Sequence, residues 1–221
     1  MSAREDMLAS IRRSLRRGRL QQTEEIDRRL AEHPRGLIPK RATERDHAGR
    51  VLLFTEMAQE VMATVERVKS LADVPRAVAD FLAQQNLPAE LVVAPDASLG
   101  AIPWSERPLQ KIRRGKPEAT DLTGVSGCLA AIAETGTLMI PSGPQSPSTM
   151  NFLPDNHVAI VRASQVVATY EDGWDRLRAG GAMPRTVNFV TGPSRTADIE
   201  LKIQLGAHGP RRLHLVDHDE A

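Results

Sequence analysis

Residues 187–200 read Val-Asn-Phe-Val-Thr-Gly-Pro-Ser-Arg-Thr-Ala-Asp-Ile-Glu. The β-branched and aromatic start has the make-up of a short strand over 187–190, and Gly192-Pro193 ends it. Beyond the break, Ser194 or Thr196 can cap a helix over about 197–205, with Asp198 in its first turn at the positive end of the helix dipole. A strand that stops at small residues and restarts as a capped helix is the building unit of an α/β fold. The break is also where such folds hold small ligands. Capping accounts for Ser194, Thr196 and Asp198 but not for Arg195. A guanidinium beside a helix N-terminus is suited to hold a carboxylate or phosphate through two parallel hydrogen bonds, or to pair with Asp198.

Outward from this stretch the same rhythm recurs. Strands are predicted over 64–68, 91–94 and 213–216, and helices over 75–85 and 170–179. Residues 157–162 and 165–169 read as a strand pair joined by Ala163 and Ser164. Residues 43–63 predict a longer helix with Val51, Leu52, Phe54, Met57, Val61 and Met62 turned inward, and 96–117 read as irregular. Strands alternating with helices predict an α/β domain with a mainly parallel sheet flanked by helices, over 41–221. Residues 1–40 form an N-terminal helical extension and linker. Met7, Leu8, Ile11 and Leu15 recur at helical spacing among Arg12, Arg13, Arg16 and Arg17, and Pro34, Gly36 and Pro39 punctuate 33–40. The narrow apolar stripe points to docking on the domain or a partner rather than on a membrane.

Composition narrows the function classes. The chain has 221 residues, 41% of them hydrophobic but only seven aromatic, so the core must be aliphatic. A net charge of +1 supplies no field to recruit nucleic acid. No run approaches the roughly 20 apolar residues of a membrane helix, and the N-terminus lacks the apolar centre of a secretory signal. A cytoplasmic protein without an integral membrane segment is therefore expected. Cys128 is the single cysteine, which leaves no internal disulfide and too few thiolates for an iron–sulfur cluster, which takes about four. No cofactor is expected to be bound by this chain alone, so redox centres, if used, belong to other chains.

Further candidates lie elsewhere. Glu134-Thr135-Gly136-Thr137 interrupts two apolar runs between 128 and 141. A carboxylate there is either reactive with a perturbed pKa or a cap for nearby amides. Gly136 allows close approach of backbone to a ligand, and both threonines can donate hydrogen bonds. The loop over 141–154, with Ser146, Ser148, Thr149 and Asn151, is long enough for a binding or lid loop, yet it lacks a phosphate-binding lysine pattern. His157 opens a strand and is placed at a sheet edge. His208, between Gly206-Ala207 and Gly209-Pro210, has little bulk around it and is expected to reach a cleft. Glu134, His157, Asp198 and His208 have the side chains but not the spacing of a metal site, so no metal is expected. Neither Ser194, which lacks the G-x-S-x-G elbow, nor Cys128, in an apolar segment, reads as a nucleophile.

Four ordered motifs then carry a family likeness: residues 133–138 (Ala-Glu-Thr-Gly-Thr-Leu), Leu153-Pro154 with His157, residues 192–200, and residues 206–210 (Gly-Ala-His-Gly-Pro). Together they resemble the lactate utilization (LUD) domain family, over most of the chain. Position 207 is Ala, where Thr or Val is expected. The resemblance implies a fold similar to the ribose-phosphate isomerase, CoA-transferase and formyltetrahydrofolate cyclo-ligase group. It also implies a part in oxidising L-lactate to pyruvate beside iron–sulfur partner subunits, with a small carboxylate as ligand. On position and chemistry, Glu134 and His208 are the catalytic candidates. Thr135, Gly136, Thr137, His157, Ser194, Arg195, Thr196 and Asp198 are the substrate-binding ones. Two other roles stand beside this one: a non-catalytic assembly or regulatory subunit of that system, and an independent enzyme acting on a CoA ester, folate or sugar phosphate.

Overall fold

The computed structural model describes residues 3–15, 23–107, 109–196 and 204–219. Two compact units divide the chain, Met1–Leu37 and Ile38–Ala221. The first holds α1 (Ala3–Ser14), which carries the predicted Met7, Leu8 and Ile11 stripe, and α2 (Glu24–Glu32). The second helix lies in a charged stretch whose only large apolar residues are Ile26 and Leu30, too weak a pattern to read from sequence.

The second unit opens with α3 (Lys40–Thr43), α4 (His47–Glu60), β1 (Thr64–Val68), α5 (Val74–Gln84) and β2 (Glu90–Val93). It continues with α6 (Ala97–Gly100), β3 (Lys111–Arg114), β4 (Thr123–Ser126), β5 (Ala130–Ile132), β6 (Thr137–Pro141) and β7 (Asn156–Arg162). Last come β8 (Val166–Val167), α7 (Tyr170–Ala179), β9 (Val187–Val190), β10 (Arg195–Thr196), β11 (Gln204–Leu205) and β12 (Arg212–His218). Local chemistry sets several of these ends. Asp46 accepts from the Gly49 amide at 2.8 Å to start α4. Pro75 sits in the first turn of α5, and Thr169 and Asp172 form a reciprocal cap on α7.

Six strands form a parallel sheet in the order β1-β12-β7-β4-β2-β3. Side chains alternate between its faces. Val158, Ile160 and Val216 pack with Val78 and Phe81 of α5 on one side. Ala159, Val161 and Leu215 pack on the other with Val51, Phe54 and Ala58 of α4 and with Ala131, Leu138 and Ile140 of a second sheet. That sheet, in the order β8-β5-β6-β9, is mainly antiparallel, and its outer face meets Leu177 of α7. The parallel, helix-flanked sheet matches the expectation, whereas the second sheet was not foreseen.

Five local readings need correction. Residues 96–117, read as irregular, hold α6 and β3, the latter an edge strand of the parallel sheet. Helix α4 is shorter than 43–63 and turns Val51, Phe54 and Ala58 inward. Leu52 and Met62 are exposed, Leu52 because it lies roughly opposite the arc that Val51, Leu53, Phe54 and Ala58 bury. Residues 165–169 do not pair with β7. A 3₁₀ turn at Ala163–Gln165 carries the chain away, fixed by Gln165, which accepts from the Arg162 amide at 2.9 Å and donates to the Cys128 carbonyl. Strand β8 then joins β5. His157 is not at a sheet edge but fully buried in β7, between β12 and β4. Gln204 and Leu205, expected to end a helix, instead pair antiparallel with Thr196 and Arg195; residues 197–203 lie outside the described residues.

Two buried imidazoles make stability depend on pH. His214 stacks on Phe81 with ring centroids 4.3 Å apart and meets the Thr64 hydroxyl at 2.8 Å through Nδ1. Burial lowers both its pKa and that of His157 to about 4. Between about pH 6.5 and 4 the unfolded chain binds protons that the folded chain refuses, so acidification removes stability. Asp217, whose pKa burial raises, works in the opposite sense and blunts the effect. Urea unfolding should show the wild type losing stability from pH 7.5 to 5. His214→Gln should lose about 2 kcal/mol less over that interval.

Candidate functional site

Past the end of β9, Gly192 adopts φ +70°, a conformation open to glycine, and a β-carbon there would collide with the Val61 carbonyl at the end of α4. The chain next forms the short β10–β11 ladder. Ser194 ties its base together: its amide donates to the Pro210 carbonyl at 2.8 Å, its carbonyl accepts from the Gly206 amide at 2.9 Å, and its hydroxyl accepts from the His208 amide at 3.3 Å. Gly209 packs against Ser194, where an added β-carbon would stand 3.4 Å from the serine Cβ. These contacts hold the His208 loop over the amino ends of β7 and β12 and enclose a cleft of about 260 Å³.

Arg195 and His208 lie exposed at the rim, and Arg195 has no ion pair or side-chain hydrogen bond among the described residues. Inside the cleft the polarity is different. His157 is fully buried and its Nε2 lies 2.7 Å from the Ser126 hydroxyl, while Nδ1 has no protein partner. Its depressed pKa keeps the ring neutral at physiological pH. Asn151, only 2% exposed, has no partner for either side-chain amide atom. It reaches this place because Gly124 in β4 leaves room for Met150 and Pro154 to pack on the strand. A buried polar group without a partner costs about 1–3 kcal/mol, and both residues that carry such groups here, Asn151 and His157, line this one cleft.

The turn at Glu134 takes another role. Arg41 donates to the Glu134 carbonyl, and the Glu134 carboxylate accepts from the Tyr170 amide at 3.2 Å, at the first turn of α7. Gly136, at φ +64°, lies where a β-carbon would collide with the backbone of Met57 and Ala58 in α4. Thr135 and Thr137 bond each other and Tyr170, and Thr137 also meets Thr191 at 2.7 Å. Of this group Thr191 alone lines the cleft. The predicted set thus divides. His157, Ser194, Arg195 and His208 come together, Glu134, Thr135, Gly136, Thr137 and Thr196 stand outside the lining, and Asp198 lies outside the described residues. Burial pushes the Cys128 thiol up to about 12, a poor starting point for a thiolate nucleophile or ligand. Among the described residues no three His, Cys, Asp or Glu side chains gather as a metal site would need, and no helix is long and apolar enough to cross a membrane.

A family model described as the LUD domain matches residues 51–216. The chain belongs to the LUD domain family. Lactate utilization protein C of Deinococcus radiodurans is 32% identical over 157 residues, covering 66% of this chain and 69% of that protein. Lactate utilization protein C of Geobacillus thermodenitrificans is 34% identical over 93 residues, covering 40% and 39% respectively, so this alignment spans about two fifths of that relative. A crystal structure of a DUF162 family protein from Deinococcus radiodurans aligns with a TM-score of 0.59 and 23% identity, covering 79% of this chain and 99% of that one. It supports the fold alone.

Two lining residues of this LUD domain escaped the sequence reading. Asn151 was visible only as one of several polar residues in a long loop, and Thr191 only as the last residue before Gly192. Neither carries a spacing signal, because Asn151 is singled out by burial without a partner and Thr191, which is exposed, by its bond to the distant Thr137. Glu134 is testable as a cap. Glu134→Ala should lower stability by about 1–2 kcal/mol in urea unfolding, through the orphaned Tyr170 amide, while ligand affinity in the cleft stays unchanged.

Proposed function

We propose that this LUD domain protein serves in L-lactate utilization and binds lactate or pyruvate in the cleft between His208 and the amino end of β7. One observation carries the proposal: a cation at the rim and unpaired, buried polar groups inside converge on one small cleft lined by three separated stretches of chain. The likeness to proteins named lactate utilization protein C supports the substrate class. At about 260 Å³ the cleft falls below the ~300–1,000 Å³ typical of small-molecule pockets. That size favours a three-carbon acid over a CoA ester, a folate or a sugar phosphate.

In this reading Arg195 holds the carboxylate bidentately, and Asn151 and His157 satisfy the ligand's remaining polar atoms. Oxidation of lactate breaks the O–H and Cα–H bonds, forms a carbonyl, and releases two electrons and two protons. The His208 imidazole accepts the hydroxyl proton as general base, and the Cα proton passes to solvent as the electron pair leaves. The electrons must leave this chain, whose single cysteine cannot ligate a cluster by itself, so we assign them to partner subunits that carry iron–sulfur clusters. Glu134, committed to the α7 amide, has no part in this scheme.

A second reading has one observation in its favour. The cleft opens at the amino ends of β7 and β12, whereas open parallel sheets hold ligands at the carboxyl ends of their strands. A subunit that senses the acid and organises its partners fits that placement. Calorimetry with L-lactate and pyruvate tests the binding. Arg195→Ala should weaken both by about 10- to 100-fold with little change in thermal stability, since a hydrogen bond to a charged group contributes ~1.5–3 kcal/mol. Unchanged affinity in the variant, or no binding by the wild type, sinks the proposal. In the reconstituted system, a His208→Asn variant that keeps full turnover would favour the sensing role.

A further inference from the structure

The hydroxyls behind the cleft form a closed network whose hydrogens can be counted. Four side chains take part: Thr135, Thr137, Tyr170 and Thr191. They make four hydrogen bonds: Thr135 with Thr137 at 2.7 Å, Thr135 with Tyr170 at 3.1 Å, Thr137 with Tyr170 at 3.1 Å, and Thr137 with Thr191 at 2.7 Å. Each hydroxyl has one proton to donate and can accept twice. The geometry makes Thr135 the donor to Tyr170. The Thr135–Thr137 bond must then use the proton of Thr137, and the Thr137–Tyr170 bond that of Tyr170. Thr137 has nothing left to donate, so the bond to Thr191 uses the proton of Thr191. This is the single arrangement that satisfies all four bonds.

The consequence falls on Thr191, the member that lines the cleft. Its proton is spent on Thr137, which is wholly buried, and both of its lone pairs remain open. The residue is therefore held as a hydrogen-bond acceptor. From this network we infer that Thr191 is the specificity-determining residue that selects a hydroxy acid over a keto acid, with Thr135, Thr137 and Tyr170 as its positioning residues. The inference rests on the reading of the cleft as a site for lactate or pyruvate.

The two acids share a carboxylate and a three-carbon skeleton and differ at C2. The hydroxyl of lactate donates to the Thr191 oxygen. The carbonyl of pyruvate has no proton and sets one acceptor against another. A neutral hydrogen bond is worth a factor of roughly 2 to 10 in affinity. The selection also orients the ligand, with the carboxylate drawn to Arg195 and the hydroxyl to Thr191. Rotation about the C–O bond brings the same proton to His208, so Thr191 positions the hydroxyl and is not the base. Oxidation removes the donor and weakens the grip on the product, which aids its release.

Titration calorimetry of the full chain with L-lactate, pyruvate and propionate tests this, propionate having neither hydroxyl nor carbonyl at C2. The wild type should bind L-lactate roughly 2- to 10-fold more tightly than either other acid. Thr191→Val should bring lactate to the level of propionate without changing propionate, and Thr191→Ser should restore the preference. Tyr170→Phe keeps the ring packed near Phe189 but removes one hydroxyl. The chain Thr135 to Thr137 to Thr191 can then run outward and free the Thr191 proton, so pyruvate should gain relative to lactate. A general loss of packing would not move the two acids in opposite directions. Equal binding of the three acids by the wild type, or a lactate-to-propionate ratio that survives Thr191→Val, overturns the assignment and leaves the reading of the cleft in place. Failure of all three acids to bind overturns both.

Discussion

Backbone touches backbone where the last turn of α4 meets the second sheet, and the candidate site depends on that contact. Gly136, in the turn before β6, lies against Met57 and Ala58, and Gly192, just past β9, lies against Val61. Both glycines have positive φ, 64° and 70°. Any side chain would face left-handed strain of about 1–3 kcal/mol and a collision with main-chain atoms that cannot move aside alone. Because β6 and β9 are neighbours, the two contacts seat adjacent strands of the second sheet on the same helix end. Helix α4 also packs on the parallel sheet, so it sets the spacing between the sheets. The cleft opens beside this joint, with Gly192 as part of its wall.

Within that frame, charge and polarity are separated. The cationic group is at the exposed rim, whereas the interior presents a neutral imidazole and an amide. A charged interior would carry a desolvation cost that nothing among the described residues would offset. Arg195 on a solvated rim avoids it, and His157, buried, stays neutral by giving up its proton. In the proposed binding mode a small acid keeps its carboxylate in the wetter part and places its C2 oxygen among neutral groups, where hydrogen-bond direction decides affinity more than charge does. The Thr135–Thr137–Tyr170 ring matters for that reason. It does not touch the cleft, yet it fixes which way the Thr191 hydroxyl points.

The Glu134-Thr135-Gly136-Thr137 stretch shows how a motif can be dense in functional side chains and remain one step removed from a ligand. Every member has a structural contact: Glu134 on the α7 amide, Thr135 and Thr137 in the hydroxyl ring, Gly136 on α4. The sequence left two possibilities for Glu134, a reactive carboxylate or a cap, and local residues could not decide between them. The Tyr170 amide that decides it lies 36 residues away along the chain.

Short-range physics was legible in the amino-acid sequence. The short strands that became β1 and β12, the helix over 170–179 and Pro75 at the head of α5 are set within a few residues, and the parallel α/β layout follows from the alternation of such strands with helices. The ordered motifs likewise needed no structure to point to the family that the chain belongs to. Tertiary structure alone decided the rest. It sent β8 to a second sheet, paired Gln204 and Leu205 with Thr196 and Arg195, buried His157 near the amino end of β7 between two neighbouring strands, and brought Asn151 and Thr191 to the same cleft as His208. The reason is common to all of these. Which distant segments meet is settled by packing, by close backbone approach at Gly136 and Gly192, and by satisfaction of buried hydrogen bonds, none of which leaves a periodic trace in the local sequence.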